Sequence, residues 1–287
     1  MTIPATPRRQ RPVLRALLGV VCFFLLGFLP FVNPLTGGIS PAELARHPTP
    51  TFALVQGLGL LVAFGASTWV VGWKAFHLGS RDLRWRSRLG WAAGIGAGLV
   101  LGVLPAAVAM TLGVFTGGAS WVRDSGSLLD YAGGVGKTLL LLAPAALSEE
   151  LMFRGLPLVL TARAFGRPTA IVVLSVLFAL AHVSNPDVSV RALGNIALAG
   201  ILLSVAFYSP GGMWTAFGAH IGWNGTLAAL GAPVSGLPFQ IPMVDYTMGG
   251  PPWLTGGSFG PEGGLLSTVA ITAAIVLAAQ WIRKEPT

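Results

Sequence analysis

Few residues in this chain could do chemistry, and they are concentrated. The run Ser148-Glu149-Glu150-Leu151-Met152-Phe153-Arg154 places two adjacent carboxylates and a guanidinium in an apolar stretch. Phe178-Ala-Leu-Ala-His182 and His220-Ile-Gly-Trp-Asn224 add two imidazoles and an amide. Ionisable groups at membrane depth cost several kcal/mol unless paired or hydrated, so they mark function by default. On a helix, residues four apart share a face and adjacent residues diverge by about 100°. Glu150 and Arg154 are therefore expected to form an ion pair, which leaves Glu149 free to face a cavity. His220 and Asn224 present two hydrogen-bonding groups to one place, and Phe178 is a wall beside His182. A carboxylate with a histidine can orient and deprotonate a water. A histidine beside an asparagine can hydrogen-bond the oxyanion of a tetrahedral intermediate. The set suits a peptide hydrolase with water as nucleophile. Glu149, His182 and His220 could instead hold zinc, although no HExxH motif is present. The string Gly256-Gly-Ser258-Phe-Gly260 lacks the strand–turn–helix context of a nucleophile elbow and reads as a chance match.

The elements that carry these groups are membrane helices. The chain has 287 residues, 53% hydrophobic and only 10% charged, with a mean hydropathy of +0.73. A soluble domain carries roughly 25% charged residues, so a soluble enzyme, a nucleic-acid binder and a disordered chain are all excluded. About 20 apolar residues cross a bilayer core. Eight such spans are expected, at 13–33, 52–73, 90–116, 137–160, 168–186, 191–208, 212–231 and 264–282. The fold class is an all-α, polytopic bundle in one transmembrane domain, 1–287, with a short basic N-terminus at 1–12. The motif core spans 137–231. Segment 232–263, with seven glycines and six prolines, is too broken for a helix and reads as a long non-cytoplasmic loop. The first span reads as a retained anchor, because its apolar stretch is long and no clean small-residue cleavage site follows. At 1.5 Å per residue, Glu149, His182 and His220 lie about 17, 20 and 12 Å from the inner helix ends, depths close enough for one shared site.

Charge placement gives an orientation. With a cytoplasmic N-terminus, 14 of the 18 basic residues fall on the inner side, among them Arg15, Lys74, Arg81, Arg84, Arg154 and Arg167. Arg46, Arg123, Lys137 and Arg191 remain outside. This follows the positive-inside rule and predicts both termini in the cytoplasm. The basic loop from Lys74 to Arg88 reads as a topology anchor beside anionic lipid. Asn195 is either a second donor near the site or a bond between helices. The expected partners are membrane lipid and a membrane-associated peptide or protein.

The three motifs, in this order and each in an apolar helix, resemble those of the CPBP intramembrane proteases. That family includes type II CAAX prenyl endopeptidases and relatives tied to abortive infection and bacteriocin immunity. Its pattern EExxxR, FxxxH and HxxxN is intact here as Glu149-Glu150-x-x-x-Arg154, Phe178-x-x-x-His182 and His220-x-x-x-Asn224. The runs His182-Val-Ser-Asn-Pro186 and Phe259-Gly-Pro-Glu-Gly-Gly264 also look like the family. The resemblance implies an intramembrane endopeptidase in a bacterial inner membrane. Glu149 would polarise the water with help from His182, and His220 and Asn224 would stabilise the oxyanion. Glu150 and Arg154 would shape the site, and Phe178 would line it. A zinc-dependent version of the same hydrolase, a non-catalytic immunity or scaffold protein, and a proton-coupled transporter are the alternatives. A transporter would be expected to show repeated halves, and the sequence shows none.

Overall fold

The structure is a computed structural model that describes residues 10–32 and 50–284. Arg8, Arg9 and Arg46, used in the charge count, lie outside the described residues. Among the described residues, nine helices of ten or more residues order the chain: α1 (Gln10–Val32), α2 (Pro50–Ser67, continued by a π-helix Thr68–Ala75), α3 (Gly90–Phe115), α4 (Leu128–Phe153), α5 (Leu156–Phe165), α6 (Arg167–Leu180), α7 (Val190–Phe207), α8 (Met213–Ala229) and α9 (Leu265–Lys284). Strands β1 (Ala119–Arg123) and β2 (Val244–Met248) form an antiparallel ribbon with Trp121 opposite Tyr246. The all-α expectation holds.

Among the described residues, five helices are long and apolar enough to cross a membrane: Pro12–Phe31, Ala53–Ala75, Gly90–Phe115, Val190–Phe207 and Leu265–Ile282. The expected count of eight is not reached by this measure. Helices α6 and α8 have only 14 and 17 residues, and α4 is diluted by glycines, Lys137, Glu149 and Glu150.

Two boundaries differ from expectation at the site itself. Span 137–160 is not one helix. The amides of Arg154 and Gly155 both donate to the Glu150 carbonyl, which closes α4. A Cβ at Gly155 would stand 2.7 Å from the Leu151 carbonyl oxygen, so this turn is tight enough to favour glycine. Pro157, in the first turn of α5, starts a new helix where its missing N–H costs nothing. The fifth span also ends early. Helix α6 stops at Leu180, and His182 stands on the following turn, its amide bonded to the Ala179 carbonyl.

Close backbone approach fixes the helices that bear the motifs. Helix α3 lays Gly94, Gly98 and Gly102 against α8, and a Cβ at Gly98 or Gly102 would collide with the α8 backbone at Thr215 or Ala219. Gly200 of α7 admits Ser175 of α6 in the same way. Small residues do this work in membrane bundles, where lipid removes most of the hydrophobic drive between helices. Helix α4 begins at a capping box in which Ser127 and Asp130 bond each other's backbone amides.

Loops contribute more than connection. Arg84, placed in the basic anchor loop, donates Nε to the Phe207 carbonyl (2.7 Å) and Nη2 to that of Ser209 (2.6 Å). It thus satisfies carbonyls that the end of α7 leaves open. Segment 232–263 folds back as β2, a tight bridge between Val234 and Leu237, and three short helical turns at Pro252–Thr255, Gly257–Phe259 and Pro261–Gly263. Ser258 is exposed on the second turn, with no nucleophile elbow. Asn195 ties this segment down. Its Nδ2 donates to the carbonyls of Glu262 (2.6 Å) and Gly264 (2.9 Å), and its Oδ1 accepts from Thr268 Oγ1 (2.7 Å). Of the two readings of Asn195, the bond between elements is the one these contacts support.

Candidate active site

The last turns of α4, the turn after α6 and the middle of α8 bring the three motifs together. Glu150 is fully buried and Arg154 is 1% exposed, and they pair through Glu150 Oε1 and Arg154 Nη1 at 3.2 Å. The same Glu150 oxygen accepts from His220 Nδ1 at 2.7 Å. Glu150 therefore joins the histidine to the guanidinium, a link beyond the ion pair that the spacing foretells. The Arg154 guanidinium also lies 4.1 Å from the centre of the Phe178 ring. Phe178 meets the imidazoles of His182 and His220 edge-on, with ring centres 4.8 and 6.0 Å apart. It holds three charged or chargeable groups in place rather than merely lining the cavity. The buried position of Arg154 removes it from the inner-surface charges.

Glu149 points the other way. Its Oε2 stands 3.7 Å from His220 Nε2 and 4.0 Å from His182 Nε2, and no protein group hydrogen-bonds it. The histidine tautomers follow from their far sides. His182 Nδ1 faces the Phe178 carbonyl at 2.7 Å, and a carbonyl only accepts, so that nitrogen carries the proton. In neutral His182 the bare lone pair of Nε2 is left facing Glu149. On His220, the Nδ1 proton is held by Glu150 Oε1. Gaps of 3.7 and 4.0 Å suit a bridging water, whose oxygen would lie about 2.8 Å from each atom at an angle near 80–90°.

A zinc ion fits these atoms less well. Tetrahedral bonds of about 2.0 Å put ligand atoms about 3.3 Å apart, closer than Glu149 stands to either imidazole. No group of three His, Cys, Asp or Glu among the described residues is placed to hold a metal. No step below runs through one.

The site opens into a cavity of about 450 Å³. Glu149, His182, His220, Asn224 and Phe178 all line it, while Glu150 and Arg154 lie behind its wall. Asn224, one turn beyond His220, stands half-buried in its wall. The cavity also holds a residue the motif reading missed, Glu262. Its Oε1 accepts from Trp223 Nε1 (3.0 Å), and its Oε2 accepts from the Ser235 hydroxyl (3.0 Å) and the Ser235 amide. A signal existed in the sequence: Glu262 is the only charged residue between Asp245 and Arg283.

These features form a carboxylate–imidazole cluster on the wall of a buried cavity. Residues 132–226 match the model of the Rce1-like type II CAAX prenyl endopeptidases. This segment contains all three motifs. Comparisons with curated proteins and with solved structures found no match. The five long apolar helices among the described residues, together with this family match, support an integral membrane protein.

Proposed function

We propose that the protein is an intramembrane endopeptidase that hydrolyses a peptide bond in a membrane-associated peptide or protein. One observation carries the reading: two imidazole Nε2 atoms converge on an unpartnered Glu149 oxygen within 4.0 Å, inside a cavity. A water between them gives one proton to Glu149 while His182 Nε2 accepts a hydrogen bond from its other hydrogen. The hydroxide oxygen forms a bond to the carbonyl carbon, and the carbonyl π electrons move to oxygen. His220, doubly protonated between the two carboxylates, donates from Nε2 to that oxyanion, and the Asn224 amide donates beside it. That proton on His220 also balances two carboxylates against the single Arg154. The intermediate collapses, the C–N bond breaks, and Glu149 passes its proton to the leaving amine. Glu150 and Arg154 act by holding His220 and Phe178.

On this reading both termini face the cytoplasm of a bacterial cell, as the bias of basic residues implies. The test uses purified protein in lipid nanodiscs with a library of internally quenched apolar peptides. Wild type should cut members of the library, and Glu149→Gln should not, with helicity and thermal stability retained. Unchanged cleavage by Glu149→Gln would remove the water activator. Cleavage should also persist after exhaustive chelation; loss of activity restored by added zinc would instead favour the metal-dependent alternative.

A further inference from the structure

The cavity contains a carboxylate that the proposed reaction does not use. Glu262 is 7% exposed and accepts from an indole N–H, a backbone N–H and a hydroxyl. All three contacts are ones a carboxylate receives, and none supplies a positive charge. Among the described residues, no lysine, arginine or histidine forms an ion pair with Glu262. Its surroundings are also stiff. The Ser235 carbonyl accepts from Asn185 Nδ2 (2.9 Å), and the Gly236 amide bonds the Phe259 carbonyl (2.9 Å). The backbone that carries Glu262 is held in turn by Asn195. The carboxylate is fixed in the wall before any ligand arrives.

The charges around the cavity are unbalanced. Glu149 and Glu262 line it, and among the described lining residues there is no lysine or arginine. Arg154 stands behind the wall, engaged by Glu150 and covered by the Phe178 ring. Low-dielectric walls strengthen and focus such a field. We infer that the cavity selects peptide segments bearing a positive charge close to the scissile bond, with Glu262 as the counter-charge that sets this preference. A basic side chain and a free α-ammonium share the required chemistry. A nearby Asp or Glu side chain meets two carboxylates against the single imidazolium of His220, and is disfavoured. This inference rests on the endopeptidase reading for the word scissile, but the charge preference is measurable without cleavage.

The probe is a short fluorescein-labelled apolar peptide with Lys, norleucine or Glu at a central position. Each is made with a free or acetylated N-terminus and is titrated against the full chain in zwitterionic nanodiscs by anisotropy. Wild type should bind the acetylated Lys peptide about tenfold more tightly than norleucine, and Glu most weakly. If the α-ammonium is the group bound, free norleucine should instead match Lys and lose its advantage on acetylation. Glu262→Gln should bring the cationic and neutral peptides to within about twofold, while Glu262→Asp, which keeps the charge, should retain a clear preference. Equal binding of all peptides by wild type would overturn the inference, whether or not any variant folds, and so would a preference that survives in Glu262→Gln. A preserved preference with no cleavage of any peptide would sink the hydrolase reading and leave this one standing.

Discussion

Two groups of polar side chains lie in or just behind the wall of the same cavity, and they differ in how their hydrogen bonds are filled. Around Glu262, each carboxylate oxygen has a donor, and the neighbouring Asn195 uses both ends of its amide. Around Glu149 and Glu150, the Oε2 atom of each carboxylate has no protein partner. A buried polar atom without a partner costs about 1–3 kcal/mol, more for a charged group. A fold retains that cost where water or substrate supplies the missing bond. On the proposed reading, the filled group builds the frame and the open group does the chemistry. Changes in the open group should therefore strike turnover first, and changes in the frame should strike stability first.

The largest effect expected is that of Glu149→Gln. The substitution keeps the side-chain shape and removes the base, so peptide cleavage should fall about 10²–10⁴-fold. Thermal unfolding in detergent should shift little, since Glu149 makes no hydrogen bond that the amide would break. A large loss of stability would place Glu149 in the frame and erase the contrast.

Arg154→Ala comes next and falls between the two groups. It strands Glu150 as a buried charge with only His220 beside it. Removing one partner of a buried pair costs about 3–5 kcal/mol. Folding yield and thermal midpoint should drop together with activity. A stable but inactive Arg154→Ala protein would mean that the guanidinium acts on the substrate.

Asn195→Ala tests the frame alone. It frees the Glu262 and Gly264 carbonyls and the Thr268 hydroxyl, at a cost of about 2 kcal/mol. Cleavage should weaken mainly through KM, because the roof loosens while Glu149 and the histidines stay in place. A kcat loss as deep as that of Glu149→Gln, with KM unchanged, would make Asn195 part of the reaction centre.

The open group was legible in the sequence because helical spacing encodes it. Four-residue separations put Glu150 with Arg154, and Phe178 with His182. Apolar surroundings marked all of them as out of place. The link from Glu150 to His220 was not legible, since it joins α4 to α8 and no local spacing reports such a crossing. The break at Gly155 was hidden as well. EExxxR reads as a continuous helix, and only the tight approach of Gly155 to Leu151 ends it. The frame was nearly silent: Glu262 and Ser235 lie in an aperiodic Gly/Pro-rich segment, where loop geometry decides what meets. The count of eight spans is left unconfirmed for a related reason. The helices that carry the site are shortened or diluted by the very residues that make it, so hydropathy undercounts them.

The smallest effect tests the frame outside the residues that line the cavity. Tyr246 of β2 donates its hydroxyl to the Met110 carbonyl at 2.8 Å, which fastens the ribbon to α3. Burial pushes its hydroxyl up to about 12, above the ordinary tyrosine value of about 10. Folding thus favours the neutral form. The contribution is intact below about pH 10 and is lost as pH rises through about 12. In an ultraviolet titration, wild type should show a tyrosine phase near pH 12 that Tyr246→Phe lacks. At neutral pH that variant should lose only about 1 kcal/mol and cleave at nearly the wild-type rate. If it instead cripples turnover, the ribbon is coupled to the reaction centre, and the separation between a filled frame and an open site fails at its outermost point.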